Sequence, residues 1–159
     1  MDYGDILFPV LASNQSKRLE YIQRQAALVC TKAYQRTPHV LLLKEVGWEE
    51  LHVRRKYHCL VVMFKIQNGL VPTYLSNICP LGRLDLANYN LRNNANIRPF
   101  YCRYTSFRKS FFPETVSNWN TLDRNIKESQ TTNIFKKGLS NILQNQTCKL
   151  YSMFSAEPP

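Results

Sequence analysis

The stretch YGDI, residues 3–6, differs by one residue from the Tyr-Gly-Asp-Asp turn that holds paired aspartates for nucleotidyl transfer. Such a centre places two metal ions about 3.5–4 Å apart, between carboxylates and the phosphate oxygens of the substrate. Here Ile6 occupies the position of the second aspartate, and only residues 1–4 precede Asp5, too few for another acidic strand. The sequence therefore predicts that Asp5 is not part of a catalytic metal site.

His52, His58 and Cys59 are further residues whose types suit a metal ion. On a helix, however, His52 and His58 would lie about 240° apart, whereas helical ligand pairs need a spacing of three or four residues. The chain also lacks the glycine-rich phosphate loops and nucleophile turns of known spacing. We therefore expect no catalytic residues, no metal site, no cofactor and no small-molecule substrate.

Positive charge is the strongest chemical signal in the sequence. The chain has 21 Lys and Arg against 11 Asp and Glu, which gives a formal net charge of +10. The excess is densest over residues 83–112, where six cations accompany a single acid, Asp85. This balance predicts a polyanionic partner, RNA or DNA, in preference to a membrane surface.

The basic residues of the middle segment alternate with aromatic rings. Cations interleaved with aromatics suit phosphate contact combined with base stacking. The alternative is a solvated face that covers an aromatic core. The predicted nucleic-acid contacts are Arg92, Arg98, Arg103, Arg108 and Lys109 among the rings of Tyr89, Phe100, Tyr101, Tyr104 and Phe107, together with Arg54, Arg55 and Lys56 on the solvent face of a preceding helix.

Helical periodicity predicts the elements that must position these residues. Apolar side chains recur at helical spacing over residues 16–34 and again over residues 48–68, with Gly69 placed to end the second helix. Shorter helices are predicted at 39–45, closed by Gly47, and after Pro72. The predicted buried faces are Leu19, Ile22, Ala26, Val29, Cys30 and Ala33 on the first long helix, and Val53, Tyr57, Leu60, Val61 and Phe64 on the second.

The helical pattern stops near residue 82. Residues 88–104 contain five Asn and three Arg with little helical period, and short runs at 89–92 and 97–104 predict strands of an irregular hairpin. Helical signals return after Pro113, with a helix predicted at 114–122 and a last helix capped by Thr131 or Thr132. Both tryptophans, Trp48 and Trp119, are predicted to be structural.

These signals predict a mainly α fold: a small helical domain with a basic central insertion that is irregular or a β-hairpin. The predicted parts are a helical segment at residues 1–82, a basic aromatic segment at 83–112, C-terminal helices at 113–147 that pack on the first segment, and a frayed tail at 148–159.

Five scattered cysteines, without a C-x-x-C pair or a secretory leader, predict reduced thiols. No apolar run approaches the roughly 20 residues of a membrane span. We therefore expect an intracellular protein, cytoplasmic or nuclear.

Seven phrases, taken in order and spacing, resemble the region that follows the polymerase core in reverse transcriptases of non-LTR (LINE-type, jockey-like) retrotransposons. The resemblance covers residues 2–144, and the chain departs from the family at Phe8, where Trp is frequent, and at Asp123, where Pro is frequent. The phrases are "DYGDI", "RLEYIQRQAALV", "LLLKEVGWEELHVRRKYH", "FKIQNGLVPTYLSNICP", "YNLRN", "SFRKSFFPETVSNWNTL" and "IFKKGL".

This resemblance implies that the Asp-Tyr-x-Asp stretch belongs to the segment after the palm and is not its metal-binding turn. The palm and fingers of the RNA-directed DNA polymerase, with their catalytic aspartates, would lie upstream in a longer reading frame. The chain would then be a non-catalytic C-terminal part that helps hold template RNA or target DNA, with the polymerase core as a partner. Two alternatives remain open: a stand-alone helical module that binds nucleic acid or a partner protein, and a translated relic without function.

We expect no polymerase activity from this chain, because Ile6 supplies no second carboxylate beside Asp5. Primer extension on an RNA template, with magnesium or manganese, should stay at background. Incorporation that disappears in Asp5→Asn would contradict this expectation.

Overall fold

The computed structural model describes residues 4, 5, 7, 13–79 and 96–154, with side chains described as far as Leu143. The prediction of a mainly α fold is confirmed, because these residues are mostly helical and contain no strand. No helix within the described ranges combines the length and apolar character needed to span a bilayer. The helices are α1 Ser13–Thr31, α2 His39–Val46, α3 Leu51–Gln67, α4 Thr73–Ile78, α5 Thr105–Arg108, α6 Phe111–Asn120, α7 Arg124–Lys127 and α8 Thr132–Phe154.

Two compact units make up the chain, residues 1–56 and residues 57–159, and the boundary between them falls within α3. In the first unit, α1 packs on α2 through Ala27 and Leu28 against Leu42 and Leu43, all buried. Trp48 is half-buried against this cluster, as its predicted structural role requires.

Left-handed glycines end two of these helices at the predicted positions. Gly47 has φ 71°, and the N–H of Trp48 donates to the carbonyl of Leu43 at 2.8 Å. Gly69 has φ 66°, and the N–H of Leu70 donates to the carbonyl of Lys65 at 2.8 Å. Only glycine adopts this conformation without steric cost, so both residues fix where the chain turns.

The predicted buried face of α1 is wrong. Ile22 and Val29, expected inside, are 50% and 78% exposed. Residues 26–30 are all apolar, so periodicity admits more than one face, and the leucines of α2 select Ala27 and Leu28. Gln23 is buried on the same face, where its Nε2 donates to the carbonyl of Glu49 at 2.9 Å.

An aromatic stack joins three helices in the second unit. The rings of Phe64 on α3 and Phe135 on α8 are stacked, with centroids 4.3 Å apart and planes 18° apart. Trp119 on α6 lies 5.8 Å from Phe135 and is 3% exposed, so its predicted structural role is confirmed. Burial of such large rings dominates the energetics of a small core.

Helix α6 is shifted toward the N-terminus from the predicted 114–122, and α8 extends further than predicted. Helix α6 begins at Phe111, because Pro113 is tolerated within the first turn, where its missing N–H is not needed. Thr131 caps α8 by accepting the N–H of Ile134 at 3.3 Å. No Gly or Pro interrupts residues 139–157, and the helical backbone continues to Phe154 through most of the predicted frayed tail. Residues 155–159 lie outside the described ranges.

Replacing Trp119 by Ala should lower the free energy of unfolding by about 3–5 kcal/mol, since a fully buried ring leaves a cavity. Chemical denaturation measures the change. Trp48→Ala is the comparison and should cost less, because Trp48 is only half-buried. An unchanged unfolding midpoint in Trp119→Ala would contradict the role of the aromatic stack.

Candidate nucleic-acid interface

A side-chain amide of α6 holds the start of residues 96–109, which are the described residues of the basic segment that precede α6 and its N-cap. The N–H of Ile97 donates to Oδ1 of Asn120 at 3.0 Å, and Nδ2 of Asn120 donates to the carbonyl of Ile97 at 2.9 Å. This pair of bonds reproduces what a neighbouring strand would offer. Ile97 is 2% exposed, so its backbone groups need such partners.

The strand predicted at residues 97–104 is wrong. Within the described ranges only Ile97 forms an isolated β-bridge, and residues 98–104 belong to no strand. The other predicted strand, at residues 89–92, lies outside the described ranges.

Lys127 supplies a second attachment. Its Nζ donates to Oδ1 of Asn96 at 2.8 Å and to the carbonyl of Asn120 at 3.3 Å. Burial lowers the pKa of Lys127, and the nearby carboxylate of Asp123 opposes that effect. The start of the basic segment is thus tied to both α6 and α7.

Exposure alternates along the extended part of the basic segment. Phe100 and Cys102 are half-buried, whereas Tyr101 and Arg103 are exposed, as the period of two in extended chain requires. The ring of Phe100 contacts Phe107 edge to face, with centroids 6.1 Å apart. Phe100 also contacts Phe112, with the same centroid distance. Phe100 therefore packs with other rings, as the predicted alternative of an aromatic core expects, but it is only half-buried and Phe107 is 45% exposed.

Four of the predicted phosphate-binding residues are exposed within the basic segment: Arg98, Arg103, Arg108 and Lys109. Arg108 and Lys109 come at the end of α5, which places them beside the anchored chain. The guanidinium of Arg103 lies over the ring of Tyr104, 5.6 Å from its centroid. Arg92 lies outside the described residues.

The cations of α3 do not form the predicted solvent face. Arg55 is 8% exposed, and Arg54 and Lys56 are half-buried. Arg55 lies one helical turn from Leu51 and one from Cys59, and both of those residues are buried. Its position on a buried stripe is at odds with a phosphate contact, so we exclude Arg55 from the interface.

A cleft of about 690 Å³ lies between the basic segment and α6. Its lining includes Phe100, Arg108, Lys109, Glu114, Ser117 and Asn120. The residues of α6 were not among the predicted contacts. Asn120 carries no sequence signal of its role, because its partner is a backbone 23 positions away.

The described residues include no group of three or more His, Cys, Asp or Glu arranged to hold a metal ion. Asp5, the aspartate of the YGDI stretch, is buried, with 6% of its surface exposed.

No protein-family model, curated protein or solved structure matches this chain.

Asn120→Ala should release the start of the basic segment, because it removes both hydrogen bonds to Ile97. We expect faster hydrogen exchange at the Ile97 amide and a loss of about 1–3 kcal/mol in the free energy of unfolding. Asn133→Ala, at an exposed asparagine of α8, is the matched control and should leave that exchange rate unchanged. Equal protection of Ile97 in both variants would show that Asn120 does not hold the segment.

Proposed function

We propose that this chain is a non-catalytic, nucleic-acid-binding segment that derives from the region after the polymerase core of a non-LTR retrotransposon reverse transcriptase. The basic segment binds the phosphate backbone of template RNA or target DNA. The catalytic aspartates belong to the polymerase core, which is the partner of this segment in the parent protein. We propose an intracellular location on the same grounds.

The observation that carries the binding proposal is the exposure of all four cations in the described residues 96–109 of the basic segment. Residues 96–109 contain Arg98, Arg103, Arg108 and Lys109 and no acidic residue. Cations clustered on a protein surface repel one another, which destabilises the folded chain. A bound polyanion neutralises them and relieves that repulsion. Attachment at Ile97 and Asn96 supports the proposal further, because anchored chain loses less entropy on binding than free chain does.

The retrotransposon origin rests on the seven phrases that resemble that family. Several of them supply residues with a structural role here: Gly47 and Gly69 end helices, Trp119 joins the aromatic stack, and Asn120 holds the basic segment. The genomic flank tests the origin. In-frame polymerase motifs just upstream support it, whereas a promoter and an intact spliced frame favour a stand-alone host protein.

A second candidate function is a stand-alone helical module that binds a partner protein. The exposed apolar side chains of α1 favour it, since Ile22 is 50% and Val29 78% exposed. Substituting both by Ser should weaken capture of a protein partner without changing binding to nucleic acid.

Phosphate binding predicts a definite salt dependence. The logarithm of the binding constant should fall against the logarithm of salt concentration with a slope of about −0.7 per contact on single strands, or −0.9 on duplex. Arg103→Gln/Arg108→Gln should flatten that slope by about 1–2 units and weaken all sequences alike, because phosphate contacts carry no sequence information. Titrating a labelled oligonucleotide of about 20 nucleotides over about 50–200 mM salt measures both effects.

The matched control is Arg18→Gln/Arg36→Gln, which removes the same charge from exposed positions elsewhere in the chain. This variant should keep the wild-type slope. If the two double variants have equal slopes, binding follows net charge alone and the basic segment is not the interface.

A further inference from the structure

Two tyrosine rings in the described part of the basic segment remain outside its own packing. Tyr101 is 91% exposed and Tyr104 is 64% exposed. Phe100, next to Tyr101, packs against Phe107 and Phe112 instead. Phe100 is thus half-buried among other rings, whereas the two tyrosines are presented to solvent, although aromatic side chains gain most when they are buried.

The exposed rings lie among the exposed cations. The guanidinium of Arg103 is 5.6 Å from the centroid of Tyr104, within the range of a cation–π interaction. Tyr104 keeps most of its surface exposed despite that contact, so ring surface is open beside a positive charge. The Cα atoms of Tyr101 and Tyr104 are three residues apart and therefore at most about 11 Å from each other. Both rings can thus stack on bases that lie close together on one strand.

The two grooves of a duplex expose only the edges of its bases, because each base face already stacks on its neighbours. A flat ring on a protein surface therefore gains stacking energy only from unpaired bases. Phosphate contacts alone give the opposite preference, since duplex carries the higher charge density and the steeper counterion release. Exposed rings beside the cations thus favour single strands over the duplex, the reverse of the order expected from phosphate contacts alone.

We propose that the basic segment is selective for single-stranded nucleic acid, with unpaired bases stacked on Tyr101 and Tyr104 while Arg98, Arg103 and Arg108 neutralise phosphates. This inference rests on the proposed nucleic-acid binding and adds the strandedness of the ligand. Stacking accepts any base of RNA or DNA, because every base has a π-face.

The test uses the full chain and three labelled ligands of one sequence: single-stranded RNA, single-stranded DNA and the DNA duplex. Wild-type protein should bind both single strands more tightly than the duplex at equal salt. Tyr101→Leu/Tyr104→Leu should lose about 5- to 150-fold in affinity per ring for both single strands and change little for the duplex. Tyr101→Phe/Tyr104→Phe keeps the rings and should retain single-strand affinity.

Tyr34→Leu is the matched control, because Tyr34 is 89% exposed and lies in the first unit. It should bind as wild type does. Tighter binding of the duplex, or wild-type single-strand affinity in Tyr101→Leu/Tyr104→Leu, would overturn the inference.

The proposed function and this inference fail in different ways. If Arg103→Gln/Arg108→Gln still flattens the salt slope while the leucine variant binds normally, the phosphate interface stands and the stacking site falls. If wild-type protein binds none of the three ligands, the proposed nucleic-acid binding itself is overturned, and the inference with it.

Discussion

An extended backbone outside a sheet must find hydrogen-bond partners for its buried polar groups, and at Ile97 a single side chain meets that requirement. The amide of Asn120 both accepts and donates, so it satisfies the N–H and the carbonyl of Ile97 together. The described residues that follow Ile97 continue from this contact. Phe100 contacts Phe107 and Phe112, and the residues between Phe100 and Phe107 are exposed except for the half-buried Cys102.

The sequence predicts those parts of the fold that depend on local signals. Helix ends are the clearest case. Gly47 and Gly69 adopt the left-handed conformation that ends a helix, and this preference does not depend on what the helix packs against. The cap at Thr131 and the burial of Trp119 follow from equally local patterns. For the candidate site, the exposed cations at 98–109 were also predicted, because dense charge without acids is rarely buried.

Features that depend on tertiary partners were not predictable in the same way. The apolar run of residues 26–30 allowed several faces for α1, and only the position of α2 decides among them. Arg55 looked solvated because its neighbours are charged, yet the buried stripe of Leu51 and Cys59 passes through it. The role of Asn120 depends on a chain segment distant in sequence, which no periodicity reveals.

Trp119 and Asn120 are consecutive residues of α6, yet one completes the aromatic stack and the other holds the basic segment. A one-residue insertion or deletion in α6 turns every later position by about 100°. Such a change would carry the indole and the amide away from their partners at once. Substitutions at the exposed residues of the basic segment leave both contacts intact, whereas the spacing from Pro113 to Asn120 must keep its length if that segment is to remain in place.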